Sequence, residues 1–117
     1  MNGAEELVAA PYVLPVNATE NDDGSVTVPL VWPIRYKKGQ ADVSVETVTI
    51  RRKNTSDNMA IRKLDTAIEV GFVLVKRLTG LSDIETGLLD DVDAEIIGSI
   101  IEGFTSAGQT TGNAALA

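Results

Sequence analysis

The segment from Asn58 to Leu81 places the strongest constraint on how this chain can fold. Apolar residues recur in it every three or four positions, as they do along one side of an α-helix. These residues are Ile61, Leu64, Ile68, Phe72, Val75 and Leu78. Because an isolated helix is only marginally stable in water, other parts of the chain must cover this apolar stripe. The pattern therefore predicts a long helix over residues 56–79 at the centre of the fold.

Sequence signals bound this helix at both ends. The run from Asn54 to Asp57 offers side chains that can cap the first turn. Gly80 follows Thr79 and can take the left-handed conformation that commonly ends a helix. Gly71 lies inside the helix, where a glycine costs about 1 kcal/mol relative to alanine. We expect Gly71 to mark a close approach by another element.

A β-hairpin is predicted over residues 25–52, before the long helix. From Val26 to Tyr36, every second residue is apolar and the residues between are mixed, namely Thr27, Pro29, Val31, Pro33 and Arg35, which is the period of a strand with one apolar and one mixed face. Residues 42–52 form the return strand. A two-stranded hairpin is not stable alone, so its apolar face is expected to pack on the long helix.

Two features predict an irregularity in this hairpin. Pro29 and Pro33 each remove a hydrogen-bond donor, so the first strand should be interrupted or lie at a sheet edge. The apolar residues of the return strand change phase at Glu46-Thr47. A bulge at that point would bring them back to a common face.

Two shorter helices are predicted after the long one. Ser82 and Glu85 have the spacing of a capping box, which starts a helix over residues 82–89. Acidic residues at the start of the segment 91–104 suit the positive end of a helix dipole, and its apolar residues form a stripe.

The predicted fold is a single α+β domain over residues 25–105. An N-terminal β-hairpin packs on a long central helix, followed by one short and one C-terminal helix. Residues 1–24 and 106–117 are predicted to be flexible arms at the two ends. The first is broken by proline and rich in Asn and Asp, and the second consists mainly of small or polar residues.

The amino-acid composition excludes several kinds of chemistry. The chain has 117 residues, with no cysteine and no histidine. It therefore lacks thiols and the commonest general base and metal ligand. The acids over residues 90–95 do not have the spacing of a calcium loop, and no phosphate-binding glycine loop occurs. We predict no enzymatic activity, no cofactor and no metal site.

Charge is unevenly distributed along the chain. The net charge is −7, yet residues 51–78 are rich in Lys and Arg, whereas residues 79–117 contain neither. Attraction between these regions, within one molecule or in a homo-oligomer, is one expectation; a solvated surface of mixed sign is the other. The acidic balance argues against a nucleic-acid partner. No apolar run is long enough to span a bilayer, and the start containing Glu5 and Glu6 is unlike a signal peptide, so a soluble intracellular protein is predicted.

The long helix has more apolar residues than a contact with one other helix requires. Val70, Val73 and Leu74 lie outside its strict stripe. A wide apolar arc is either core, covered by the hairpin and last helix together, or an exposed surface for a partner. Trp32 and Tyr36, on the apolar face of the hairpin, have the same two explanations.

Several short motifs follow one another in a recognisable order between Leu30 and Phe104. They are Pro33-Ile34, Val48-Thr49-Ile50-Arg51-Arg52, Thr55-Ser56-Asp57, Leu78-Thr79-Gly80-Leu81-Ser82, Leu89-Asp90 and an Asp-initiated last helix ending at Phe104. This order covers about two-thirds of the chain. It resembles the tail assembly chaperone family of Mu-like and P2-like contractile-tailed bacteriophages.

The resemblance implies a small, non-enzymatic factor of the host bacterial cytoplasm that is absent from the mature virion. Proteins of that family bind the phage tape-measure protein and keep it soluble while the tail tube assembles, often beside a frameshifted longer form of themselves. By analogy, we expect Trp32, Tyr36, Phe72, Val73 and Lys76 to form the partner surface. The alternative is a structural subunit of the phage tail or baseplate. A small regulator that binds another protein is a third possibility.

Overall fold

A computed structural model describes residues 17–116, with side chains described for residues 17–104. Within these residues it contains a three-stranded antiparallel sheet followed by four helices, which confirms the α+β class. The strands are β1 (Thr19–Glu20), β2 (Val26–Lys38) and β3 (Ala41–Ile50). The helices are α1 (Thr55–Arg62), α2 (Ala67–Thr79), α3 (Asp83–Leu88) and α4 (Asp91–Leu116).

The sheet begins within the predicted N-terminal arm. Strand β1 pairs with β2, with Thr19 opposite Thr27. In the turn between them, the backbone N–H of Asn21 donates to the carbonyl oxygen of Ser25 at 2.8 Å. The carboxylate of Asp23 accepts from both the N–H and the hydroxyl of Ser25. These local bonds close a turn, so the predicted arm boundary at residue 24 is wrong; residues 1–16 of that arm lie outside the described residues.

The interruption predicted for the strand that contains Pro29 and Pro33 is confirmed, and the extra residues lie in this strand and not at Glu46-Thr47 of the return strand. Pro29 pairs with Thr47 and Ile34 with Val45, so β2 has four residues between these pairs where β3 has one. The extra residues, 30–33, form a bulge in β2. They lie in the strand that contains the prolines because proline has no N–H to donate to the ladder.

A buried carboxylate from α4 holds this bulge. Asp93 is 1% exposed. Its Oδ1 accepts from the backbone N–H of Val31 at 2.8 Å, and its Oδ2 accepts from that of Trp32 at 2.9 Å. These two N–H groups lie within the bulge, where β2 and β3 are not paired in a regular hydrogen-bond ladder. A charged acceptor forms stronger hydrogen bonds than a neutral one, so Asp93 fixes the start of α4 against β2.

The apolar core lies between the sheet and helices α2 and α4. Its buried residues are Val26, Val28, Leu30, Ile34, Val48, Ile50, Val75, Leu78, Leu81, Ile97, Ile100, Ile101 and Phe104. Of the stripe predicted for the long helix, only Val75 and Leu78 are buried. Ile68 is 85% exposed and Phe72 is 38% exposed. The stripe is therefore covered only in its C-terminal half.

Two helices occupy the segment 56–79, so the prediction of one continuous helix there is wrong. The segment breaks at Lys63–Thr66, between α1 and α2. Thr66 is the N-cap of α2: its side chain accepts from the Glu69 N–H, and the Glu69 carboxylate accepts from the Thr66 N–H. This capping box starts a new helix inside the apolar stripe because it satisfies the donors of a first turn.

The other predicted helix ends are confirmed. Asn54 caps α1, and Ser82 caps α3 through a capping box with Glu85. Gly80 ends α2 with a φ of 75°, in the left-handed conformation. Only the end of α4 differs, since this helix continues to Leu116 instead of ending at residue 104.

The predicted C-terminal tail, residues 106–117, is therefore helical in its backbone as far as Leu116. No proline follows Pro33, so nothing in this segment blocks the helical backbone hydrogen bonds. Small and polar residues disfavour a helix far less than proline does. Ala117 lies outside the described residues.

Helices α1 and α2 are tied to the sheet through Asp57, which is fully buried. Arg51, just after β3, donates to both of its carboxylate oxygens at 2.8 Å. Arg77 of α2 donates through Nε to Oδ1 at 2.9 Å, and the Asn54 N–H donates to Oδ2 at 2.8 Å. These hydrogen bonds, above all those from Arg51, hold the pKa of Asp57 far below its ordinary value of 3.8.

Replacement of Asp57 by asparagine should lower the free energy of unfolding by about 2–3 kcal/mol at neutral pH, because both arginines lose a charged acceptor. Since folding lowers the pKa of Asp57, its contribution is present above the unfolded pKa of about 4 and is lost as the pH falls below it. Urea unfolding of wild type and Asp57→Asn over a series of pH values from neutral to acid measures both effects.

Asp65→Asn is the matched control, since Asp65 is exposed and no ion pair involves its side chain among the described residues. It should leave the loss of stability in acid unchanged. An Asp57→Asn variant that loses as much stability in acid as the wild type would contradict the assignment.

Candidate protein-binding groove

An apolar groove of about 800 Å³ lies between α2, α3 and α4. Its lining residues come from one face of each helix and from the segment that joins α3 to α4. They are Ala67, Ile68, Val70, Gly71, Phe72, Leu74, Val75, Thr86, Gly87, Leu89, Asp91, Ala94, Gly98, Ile101 and Glu102. A volume of this size falls within the range of binding sites in proteins.

The groove exists because α2 is only half covered. Val75 and Leu78, in its C-terminal half, are buried in the core. Ile68 and Phe72 lie one helical turn apart in its N-terminal half, and both are exposed to solvent. A contiguous exposed apolar surface of this kind is typical of a site that binds a partner.

Glycine residues open the surface of the groove. Gly71, Gly87 and Gly98 come from α2, α3 and α4 respectively. A Cβ atom added at any of the three would meet no heavy atom within 4 Å. The predicted role of Gly71, close approach by another part of the chain, is therefore wrong. Instead, the absence of side chains leaves space in which the backbone of a bound molecule can approach.

The charged residues that line the groove are both acidic. Asp91 and Glu102 are the first and last lining residues of α4. Neither forms an ion pair with any side chain among residues 17–104. Asp90, and not Asp91, accepts the Val92 N–H at 3.0 Å in the first turn of α4. The groove therefore combines an apolar surface with uncompensated negative charge.

Of the partner residues predicted on the long helix, only one lines the groove. Phe72 lines the groove, but Val73 and Lys76 do not. Val73 is partly buried one turn before Arg77, which contacts α1. The Lys76 ammonium pairs with Asp83 at 2.8 Å. Only Phe72 of these three predictions lies at the groove.

The two partner residues predicted on the hairpin lie outside the groove. Trp32 is 61% exposed in the bulge, although Leu30 and Ile34 on either side of it are buried. Strict alternation would have put all three on one face, but the extra residues of the bulge break that alternation. The Tyr36 hydroxyl donates to the Glu85 carboxylate at 2.8 Å.

This hydrogen bond to Glu85 raises the pKa of Tyr36. The Ser82 N–H and the Tyr36 hydroxyl together lower the pKa of Glu85. Tyr36 therefore connects the hairpin to α3 and does not line the groove. Of the five predicted partner residues, only Phe72 lines the groove.

Several groove residues were missed by the sequence prediction. The position of Ile68 in the apolar stripe predicts a covered residue, and the sequence prediction places none of the three glycines at a binding site. The signal that could have found them is the capping box at Thr66 and Glu69, which divides the stripe and separates its first residues from the core.

In the part of the chain that the structure describes, no cluster of three or more acidic side chains is arranged to hold a metal ion. None of its described helices combines the length and the apolar character needed to cross a membrane. Comparison with protein-family models, with curated proteins and with solved structures gives no match.

Gly71→Ala should raise the free energy of unfolding by about 0.5–1 kcal/mol, because alanine favours the helix and the added Cβ enters open space. Urea unfolding measures this change. Gly80→Ala is the contrasting variant: its φ of 75° strains an L-residue, so it should be destabilising. A destabilising Gly71→Ala would show that another element packs against this position.

Proposed function

We propose that this chain is a tail assembly chaperone of a contractile-tailed bacteriophage or prophage. It binds the tape-measure protein and keeps that protein soluble while the tail tube assembles. The structural observation that supports this proposal is the apolar groove between α2, α3 and α4, with Ile68 and Phe72 exposed along it. The motifs between Leu30 and Phe104 support the choice of family.

A helical client suits the shape of this groove. An amphipathic helix can place its apolar face in a groove between helices and make contacts at every turn. Full burial of a large aliphatic or aromatic side chain is worth about 1.5–3 kcal/mol. Ile68, which is 85% exposed, has most of that contribution still available for a partner. The tape-measure protein, as a long helical and hydrophobic client, would supply such a face.

The proposed role requires no catalysis, cofactor or metal. The chain would act in the host bacterial cytoplasm and leave before the virion is complete. A frameshifted longer form of the same chain that retained residues 67–102 would carry the same groove and could bind the same client.

Co-expression of the tagged chain with the tape-measure protein of the same phage or prophage tests the proposal. We expect the tape-measure protein to become soluble and to co-purify with the chain. Ile68→Asp and Phe72→Asp should each abolish this recovery, because a carboxylate would be placed in the apolar contact. Met59→Asp is the matched control, since Met59 is an apolar residue on α1 outside the groove whose exposure, 59%, lies between those of Ile68 and Phe72.

Circular dichroism and thermal unfolding of each variant establish that it remains folded. A tape-measure protein that stays insoluble beside the folded wild-type chain would contradict the proposal. So would a loss of recovery with Met59→Asp equal to that with Ile68→Asp. Mass spectrometry of purified particles addresses the structural-subunit alternative, because a stoichiometric amount of the chain in finished tails would favour that alternative.

A further inference from the structure

The two acidic residues of the groove have a spacing that restricts what can bind there. Asp91 and Glu102 are eleven residues apart on α4. Eleven residues make about three helical turns, so the two carboxylates lie on nearly the same face, about 16 Å apart along the axis. Ala94, Gly98 and Ile101 lie between them on that face. The negative charges thus flank an apolar strip that consists of two small residues and one isoleucine.

We infer that the groove selects an amphipathic helix of another protein with a Lys or Arg near each end of its apolar face, about eleven residues apart. The inference rests on the proposed binding of a helical client and adds the charge pattern of that client. A client helix packed at a small angle to α4 repeats the same rise per residue, so its two cations meet both carboxylates. Complementary charges of this kind set the register and exclude wrong partners.

The charge pattern disfavours segments of this chain as the occupant. Residues 1–16 contain Glu5 and Glu6 but no Lys or Arg, so their side chains would be repelled by the groove. Helix α1 of a second copy carries Arg62 and Lys63, which are adjacent and not separated by three turns. A separate protein with spaced cations is the better match.

Two synthetic helical peptides of equal composition and net charge test the inference. Both have the same apolar face, formed by Leu and Ala. In the first peptide, two lysines lie about eleven residues apart and therefore share one face; in the second, they lie about nine residues apart and therefore point to opposite faces. By fluorescence anisotropy at low salt, the wild-type chain should bind the first peptide at least about tenfold more tightly than the second.

The double variant Asp91→Asn/Glu102→Gln should remove this preference, because it removes both charges and keeps similar side-chain shapes. Glu95→Gln is the control, since Glu95 is an exposed acid of α4 that does not line the groove; it should keep the preference. Exchange of the lysines of the first peptide for glutamates should abolish binding to the wild type.

The outcomes separate this inference from the proposed function. One outcome is that the tape-measure protein co-purifies equally well with the wild type and the double variant, and that the two peptides bind with equal affinity. In that case the inferred selection for two spaced cations is overturned and the chaperone proposal stands. If neither the peptides nor the tape-measure protein bind the folded wild-type chain, both are overturned. Preference for the first peptide, lost in the double variant and kept in Glu95→Gln, supports the inference.

Discussion

The carboxylate of Asp93 bonds to two consecutive backbone N–H groups in the bulge of β2, and the position of α4 depends on this contact. Prolines in β2 prevent a regular ladder there, so the bulge has donors that β3 does not pair. A buried carboxylate with two short hydrogen bonds satisfies them and brings the first turn of α4 to the sheet. From that point, the apolar stripe of α4 continues into the core and ends, among the described side chains, at Phe104.

Helix α2 is held in a comparable way, by the bonds of Arg77 and Arg51 to the buried Asp57. This contact and the burial of Leu78 fix the C-terminal half of α2. The N-terminal half starts at its own capping box, and Ile68 within it is exposed. The groove is the space left between this uncovered half, α3 and α4. Two buried carboxylates therefore place two of the helices that form the groove, although neither carboxylate lines it.

Most secondary structure could be predicted because it depends on residues close together in the chain. The hairpin, the caps at Asn54 and Ser82 and the left-handed end at Gly80 follow from periodicity and local side-chain bonds. The break before α2 is also encoded locally, by the capping box that starts at Thr66. The apolar stripe continues across this break, so the periodicity alone predicts one helix. The candidate site was less predictable, since of the expected partner residues only Phe72 lines the groove.

The sequence by itself determined where helices and strands form, since their hydrogen bonds and apolar periods join residues within a few positions of one another. Only the tertiary structure decided which apolar residues are covered. Asp93 contacts Val31 across 62 positions of the chain, and Arg77 contacts Asp57 across 20. Such pairings depend on the geometry of the bulge and on the packing of helices, which no local pattern specifies. Thus Trp32 is exposed within an alternating strand and Ile68 within a helical stripe, whereas the acid Asp93 is buried.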